Sequence, residues 1–94
     1  MKKLDPSTVA GNTFVVSIPG IHEVLYQEGG RTLSIEIEGG MDKHNRRIWF
    51  VYISAANKWL SPHDNDPLSE KDKRRIAHNV LESLKLLNMN VELS

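Results

Sequence analysis

The chain has no cysteine. That excludes disulfide bridges, thiolate metal sites and a cysteine nucleophile, and it fits a reducing compartment. An excess of one charge sign is also missing. Twelve Lys and Arg balance twelve Asp and Glu, and residues 1–47 and 48–94 each carry six of either sign. Without a basic field there is no electrostatic footprint for nucleic acid, and there is no acidic tail. Neutrality equally disfavours a membrane-surface role. Long hydrophobic runs are absent too. The longest, Ile48–Ile53, falls far short of the roughly 20 residues a spanning helix needs. Met1-Lys2-Lys3 is followed by Leu4-Asp5-Pro6-Ser7, with no apolar stretch of the kind a secretory signal requires. A soluble, cytoplasmic protein is the expectation. No glycine-rich phosphate loop appears either, because neither Gly29-Gly30 nor Gly39-Gly40 leads into a helix.

What is present suits one small domain spanning residues 1–94. The 39% apolar content supplies a modest core, so the chain as a whole is not disordered. Residues 1–12 are polar, contain Pro6 and Gly11, and are expected to form a loosely ordered lead-in. Thr13–Ile18 reads as a strand ended by Pro19-Gly20. Two alternating runs, Ile21–Glu28 and Arg31–Glu38, flank Gly29-Gly30, which supplies the positive φ values of a tight hairpin turn. Pairing Glu28 with Arg31 sets Tyr26 opposite Leu33, Val24 opposite Ile35 and His22 opposite Ile37. It gathers Glu23, Glu36 and Glu38 on the other face. A slip of one residue would break this sorting. Gly39–Arg46 is expected to be a polar loop, and Arg47–Ile53 a strand apolar on both faces, either a covered central strand or one with a face left for an interface. After a connector, Ser54–Leu68, Ser69 with Asp72 starts a helix. Its stripe is Ile76, Ala77, Val80, Leu81, Leu84 and Leu87. Met89–Leu93 is a short last strand. The expected fold is α+β: a mostly antiparallel sheet of four to five strands with one long amphipathic helix packed on one face, in the order β-β-β-β-α-β.

Candidate chemistry is sparse. Of the four histidines, His22, His44 and His78 lie in no metal-binding spacing. His63-Asp64-Asn65-Asp66 is the one dense set of ligand atoms, and it reads as a proline-bracketed turn whose carboxylates cap backbone N–H groups. No metal and no cofactor is expected. Glu23 opposite Glu36, with Glu38 nearby, is a like-charge arrangement that costs stability in a bare hairpin. Such a pair serves acid–base catalysis, solvates a face, or awaits a basic partner. No nucleophile or oxyanion group accompanies it, so an enzyme is not expected. Lys71-Asp72-Lys73-Arg74-Arg75 sits where the helix dipole disfavours cations and lacks interleaved aromatics, so it is no phosphate-binding patch. Trp59 sets a large aromatic in the connector beside Pro62, His63, Asp64 and Asp66. Either it anchors a partner or it plugs the bottom of the sheet.

Four sequence features occur in order: Tyr26-x-Glu28-Gly29-Gly30-Arg31; Phe50-Val51-Tyr52; Lys58-Trp59-x-x-Pro62; and Arg75-Ile76-x-x-Asn79-Val80. Through these, from Tyr26 onward, the chain resembles a family of small α+β immunity proteins from bacterial polymorphic toxin systems. The resemblance implies an antitoxin that binds and neutralises a cognate toxin domain, with no catalysis of its own. It transfers no contact residues. The expected binding patch comprises Trp59, His63, Asp64 and Asp66 of the connector with Glu23, Glu36 and Glu38 of the hairpin. The alternative is a homo-oligomeric structural or interaction protein.

Overall fold

In a computed structural model that describes all of residues 1–94, seven strands form one sheet whose spatial order follows the chain. They are β1 (Lys2–Asp5), β2 (Thr8–Ala10), β3 (Phe14–Gly20), β4 (Glu23–Glu28), β5 (Arg31–Met41), β6 (Arg47–Val51) and β7 (Val91–Leu93). The single α-helix, α1 (Glu70–Leu86), connects β6 to β7. All neighbours are antiparallel except β6 and β7. A parallel pair needs a crossover, and the helix provides it.

The β4–β5 hairpin has the expected register, Glu28↔Arg31, Tyr26↔Leu33, Val24↔Ile35 and Glu23↔Glu36. Gly29 and Gly30 take φ values of 59° and 77°, the left-handed conformation that a type I′ turn demands and glycine adopts without strain. Val24, Tyr26, Leu33, Ile35 and Ile37 are thereby buried on one face. Ile76, Val80 and Leu84 of α1 pack on them. A reciprocal cap starts the helix. Ser69 Oγ accepts from the Asp72 N–H at 3.0 Å, and the Ser69 N–H donates to Asp72 Oδ2 at 3.1 Å. Asn88, at φ 62°, turns the chain out of it.

Three expectations are corrected. Residues 1–12 are not a loose lead-in, because they build the β1–β2 hairpin. Asp5 Oδ1 accepts from the Ser7 N–H at 2.8 Å to hold the turn, and Val9 is fully buried opposite Val16. Gly39–Arg46 is only partly a loop. β5 runs on through Met41, and the turn is confined to Asp42–Arg46, where Asp42 Oδ1 accepts from the N–H groups of His44 and Arg46. Glycine runs seldom persist in strands, but here aromatic rings of β6 lie across them. A Cβ on Gly40 would sit 2.8 Å from the Phe50 ring, and one on Gly39 would sit 3.2 Å from Trp49. The sheet therefore has seven strands rather than four or five. The last strand of the expected order, after the helix, is present but pairs parallel.

Candidate functional site

Most of the residues that carry the family resemblance, among them Tyr26, Glu28, Val51, Trp59, Arg75, Ile76, Asn79 and Val80, assemble on the helix-covered face, while Tyr52 and Lys58 lie on the other. Arg75 grips Glu28 with two bonds, Nη2 to Oε1 at 2.6 Å and Nε to Oε2 at 3.1 Å. Its Nη1 reaches Asp72 at 2.8 Å. Glu28 also accepts from the Tyr26 hydroxyl at 2.8 Å, and that hydroxyl accepts from Asn79 Nδ2 at 3.0 Å. The hydrogen bonds from Arg75 hold the Glu28 carboxyl below its ordinary range. Burial pushes the Tyr26 phenol up to about 12. Such a planar, bidentate grip is strong and directional. It bolts the start of the helix to the hairpin and leaves no free group for chemistry.

Trp59 belongs to the same framework. It is 2% exposed and sits in the hydrophobic core, so it plugs the sheet and offers no ring at the surface. The connector runs beside the first half of β5, with the Leu60 N–H donating to the Thr32 carbonyl at 2.7 Å. That pairing carries Trp59 inward. Arg31 covers the indole, its guanidinium 5.1 Å from the ring centroid. Arg31 also lies 3.6 Å from Asp66, which is 3.3 Å from His63 Nδ1. His63 and Asp66 thus tie the connector to β5. No three His, Asp or Glu side chains converge as a metal ion would need.

The opposite face of the sheet is different. Glu36 and Glu38 are exposed, and Glu23 is half-buried opposite Glu36. Ser34 Oγ donates to Glu23 Oε2 at 2.5 Å, and the Tyr52 hydroxyl reaches Glu38 at 3.3 Å. No cation pairs with these three acids. Burial, with the neighbouring negative Glu38, raises the Tyr52 phenol. A cleft of 240 Å³ lies between His22, Glu23, Ser34, Glu36, Tyr52 and Ala55–Ala56. A second, of 510 Å³, shares Ser34, Ala55 and Ala56 with it and continues past Lys58 and Leu60 to Asp64. The two make one groove. Of the expected patch, Glu23, Glu36 and Asp64 line that groove and Glu38 stands at its end, whereas His63 and Asp66 turn toward Arg31 and Trp59 lies beneath. His22 is exposed at the groove's mouth. Tyr52 is the groove residue that sequence reasoning missed. Its signal was the alternation of β6, which sets position 52 on the same face as Glu38.

The class is therefore a small α+β scaffold whose motif residues hold the framework together. Residues 14–94 match the family described as Immunity protein 74 (Imm74), and the chain belongs to that family. The match begins at Phe14, so it takes in β3 as well as the segment from Tyr26 onward. No curated protein and no solved structure matches the chain. No helix is long and apolar enough to cross a membrane.

Proposed function

We propose that this protein is a non-catalytic immunity protein that neutralises a cognate bacterial toxin by binding it in the cytoplasm. Membership of the Imm74 family over residues 14–94 is the observation that carries the reading. The geometry supports a site for it, the groove lined by Glu23, Glu36 and Asp64 with Glu38 at its end. Carboxylates without internal cations remain available to a basic protein surface. They steer its approach and select it over acidic competitors. Exposed Leu60 beside them adds apolar contact. The like-charge cost of Glu23 opposite Glu36 would be relieved when a basic group of the toxin enters the groove.

The test is capture of the product of the adjoining gene by the wild-type protein and by a Glu36→Lys/Asp64→Lys double variant. The expected outcome is capture by the wild type, salt-sensitive and lost in the variant, with both proteins equally folded. Equal capture by both would remove the groove from the interface. No capture by either would end the pairing with that partner.

A further inference from the structure

Strand β5 changes partners halfway along. It pairs with β4 up to Glu23↔Glu36, and with β6 from Ile37↔Val51 to Met41↔Arg47. The hydrogen bonds at the changeover fix which way each residue's backbone faces. The Ile37 N–H donates to the His22 carbonyl at 3.0 Å, and the Tyr52 N–H donates to the Glu36 carbonyl at 3.0 Å. Odd-numbered residues of β5 therefore face the β4 side, and even-numbered ones face β6, by the alternation of an antiparallel ladder. Beyond Ile37 the β4 side is empty, because the chain has turned at Gly20–His22. The N–H and C=O groups of Gly39 and Met41 thus point into a gap inside the sheet.

That gap is shaped. A cleft of 420 Å³ lies between Ile21 and His22 on one wall and Glu38–Met41, Arg47 and Trp49 on the other. Ile21 and Met41, which both line this cleft, are 67% and 56% exposed. Arg47 lies over the Trp49 ring at 5.5 Å, making a flat cationic wall. Of the two outer edges of the sheet, β1 and β7, β1 carries Lys2, Lys3 and Asp5 and β7 carries Glu92, charges of the kind that discourage strand addition. Gly39, Gly40 and Met41 carry none. His22 lines both this cleft and the acidic groove, so the two surfaces are continuous.

We propose that an extended segment of the toxin adds as a short strand along Gly39–Met41, a reading that rests on the immunity function proposed above. Side chains of an added strand alternate between faces. On the helix-side face they meet Met41 and Trp49, with Ile21 standing at the opposite wall of the cleft. On the other they meet Glu36 and Glu38, which have no cation. The fitting segment therefore alternates apolar with Lys or Arg residues. Backbone pairing supplies affinity, and this alternation supplies specificity, as in other strand-addition complexes.

Amide hydrogen exchange on the wild-type protein, free and bound to the product of the adjoining gene, reads the pairing directly. Protection of the Gly39 and Met41 amides on binding is expected. Met41→Pro removes a gap-facing donor without touching the β5–β6 bonds and is expected to weaken capture roughly five- to tenfold. Ile21→Lys, at an exposed position outside the strands, is expected to weaken it comparably and guards against misfolding of the proline variant. Wild-type capture with no protection at Gly39 and Met41, and with Ile21→Lys binding normally, overturns the strand addition while leaving the immunity function standing. Failure of the wild type to capture that product overturns both. Protection of the same amides in a dimer of the free chain would assign the edge to a second copy and overturn the toxin's place there.

Discussion

The two faces of the sheet use their charged residues in opposite ways. Under the helix, Glu28 has Arg75 in a bidentate grip and Tyr26 beside it. On the outer face, Glu23, Glu36 and Glu38 are met only by the hydroxyls of Ser34 and Tyr52. A carboxylate with a built-in cation stabilises its own chain; one without a cation is left for something outside it. Most of the residues by which this sequence resembles its family are on the first face, with Tyr52 and Lys58 the exceptions in the groove. They report on the scaffold. Partner choice has to be sought on the second face and at the gap beside it.

The comparison predicts losses of stability that shrink from the first face to the second. Trp59→Ala is expected to be the most damaging change, at about 3–5 kcal/mol, because a fully buried ring leaves a cavity; Leu84→Ala is expected to cost about 2–5 kcal/mol for the same reason. Denaturant unfolding measures both. A loss under about 1 kcal/mol for Leu84→Ala would mean that the helix stripe contributes little to the core.

Breaking the ion pair comes next. Arg75→Ala should cost about 1–2 kcal/mol, since the guanidinium is partly solvated but Glu28 is left half-buried without its donor. Its pH signature distinguishes it from a packing defect. Glu28 has a native pKa held below its ordinary 4.5, so its contribution is full above about that pH and is lost as pH falls through the depressed value. Tyr26 is shifted the other way. Its contribution is full below its ordinary value of 10.0 and is lost as pH rises through about 12. A stability profile of the wild type should therefore be flat between these limits. In Arg75→Ala the acid limb should shrink. An acid limb of unchanged size would show that other carboxylates govern acid unfolding.

The smallest effect has the opposite sign. Glu36→Gln removes the like charge facing Glu23 and is expected to raise stability by about 0.2–1 kcal/mol in low salt, the gain fading as salt screens it. Toxin capture should weaken in the same variant. A variant both less stable and fully competent to bind would reverse the contrast between the faces.

Much of this scaffold was legible in the sequence, for physical reasons that differ by element. The β4–β5 hairpin announced itself because Gly29-Gly30 and strict alternation constrain turn and register together. The helix did so through Ser69, Asp72 and a stripe at helical spacing. The β1–β2 hairpin was hidden because only Val9 in it is buried, so no alternation shows. The end of β5 was hidden because its pairing depends on rings from β6 covering glycines, a contact distant in the chain. At the site, the acids of the hairpin were readable from register alone. The inward course of Trp59 was not, since it follows from a backbone bond between Leu60 and Thr32 that no local pattern encodes.

The parallel pairing of β6 with β7 has a kinetic consequence. Strands β1 to β6 each dock on the strand made just before, so that part of the sheet grows through short loops that close quickly. β7 must find β6 across roughly forty residues, and contacts of such separation form late and slowly. The helix is the intermediate that brings the two together. Folding should therefore proceed as a zipper of hairpins followed by one clasp. The clasp secures the far end of β6, where the Ser94 N–H donates to the Val51 carbonyl and the Ser54 N–H to the Ser94 carbonyl, both at 2.8 Å. It steadies the strand on which the open edge of β5 leans, so the proposed docking edge becomes rigid only at the last step of folding.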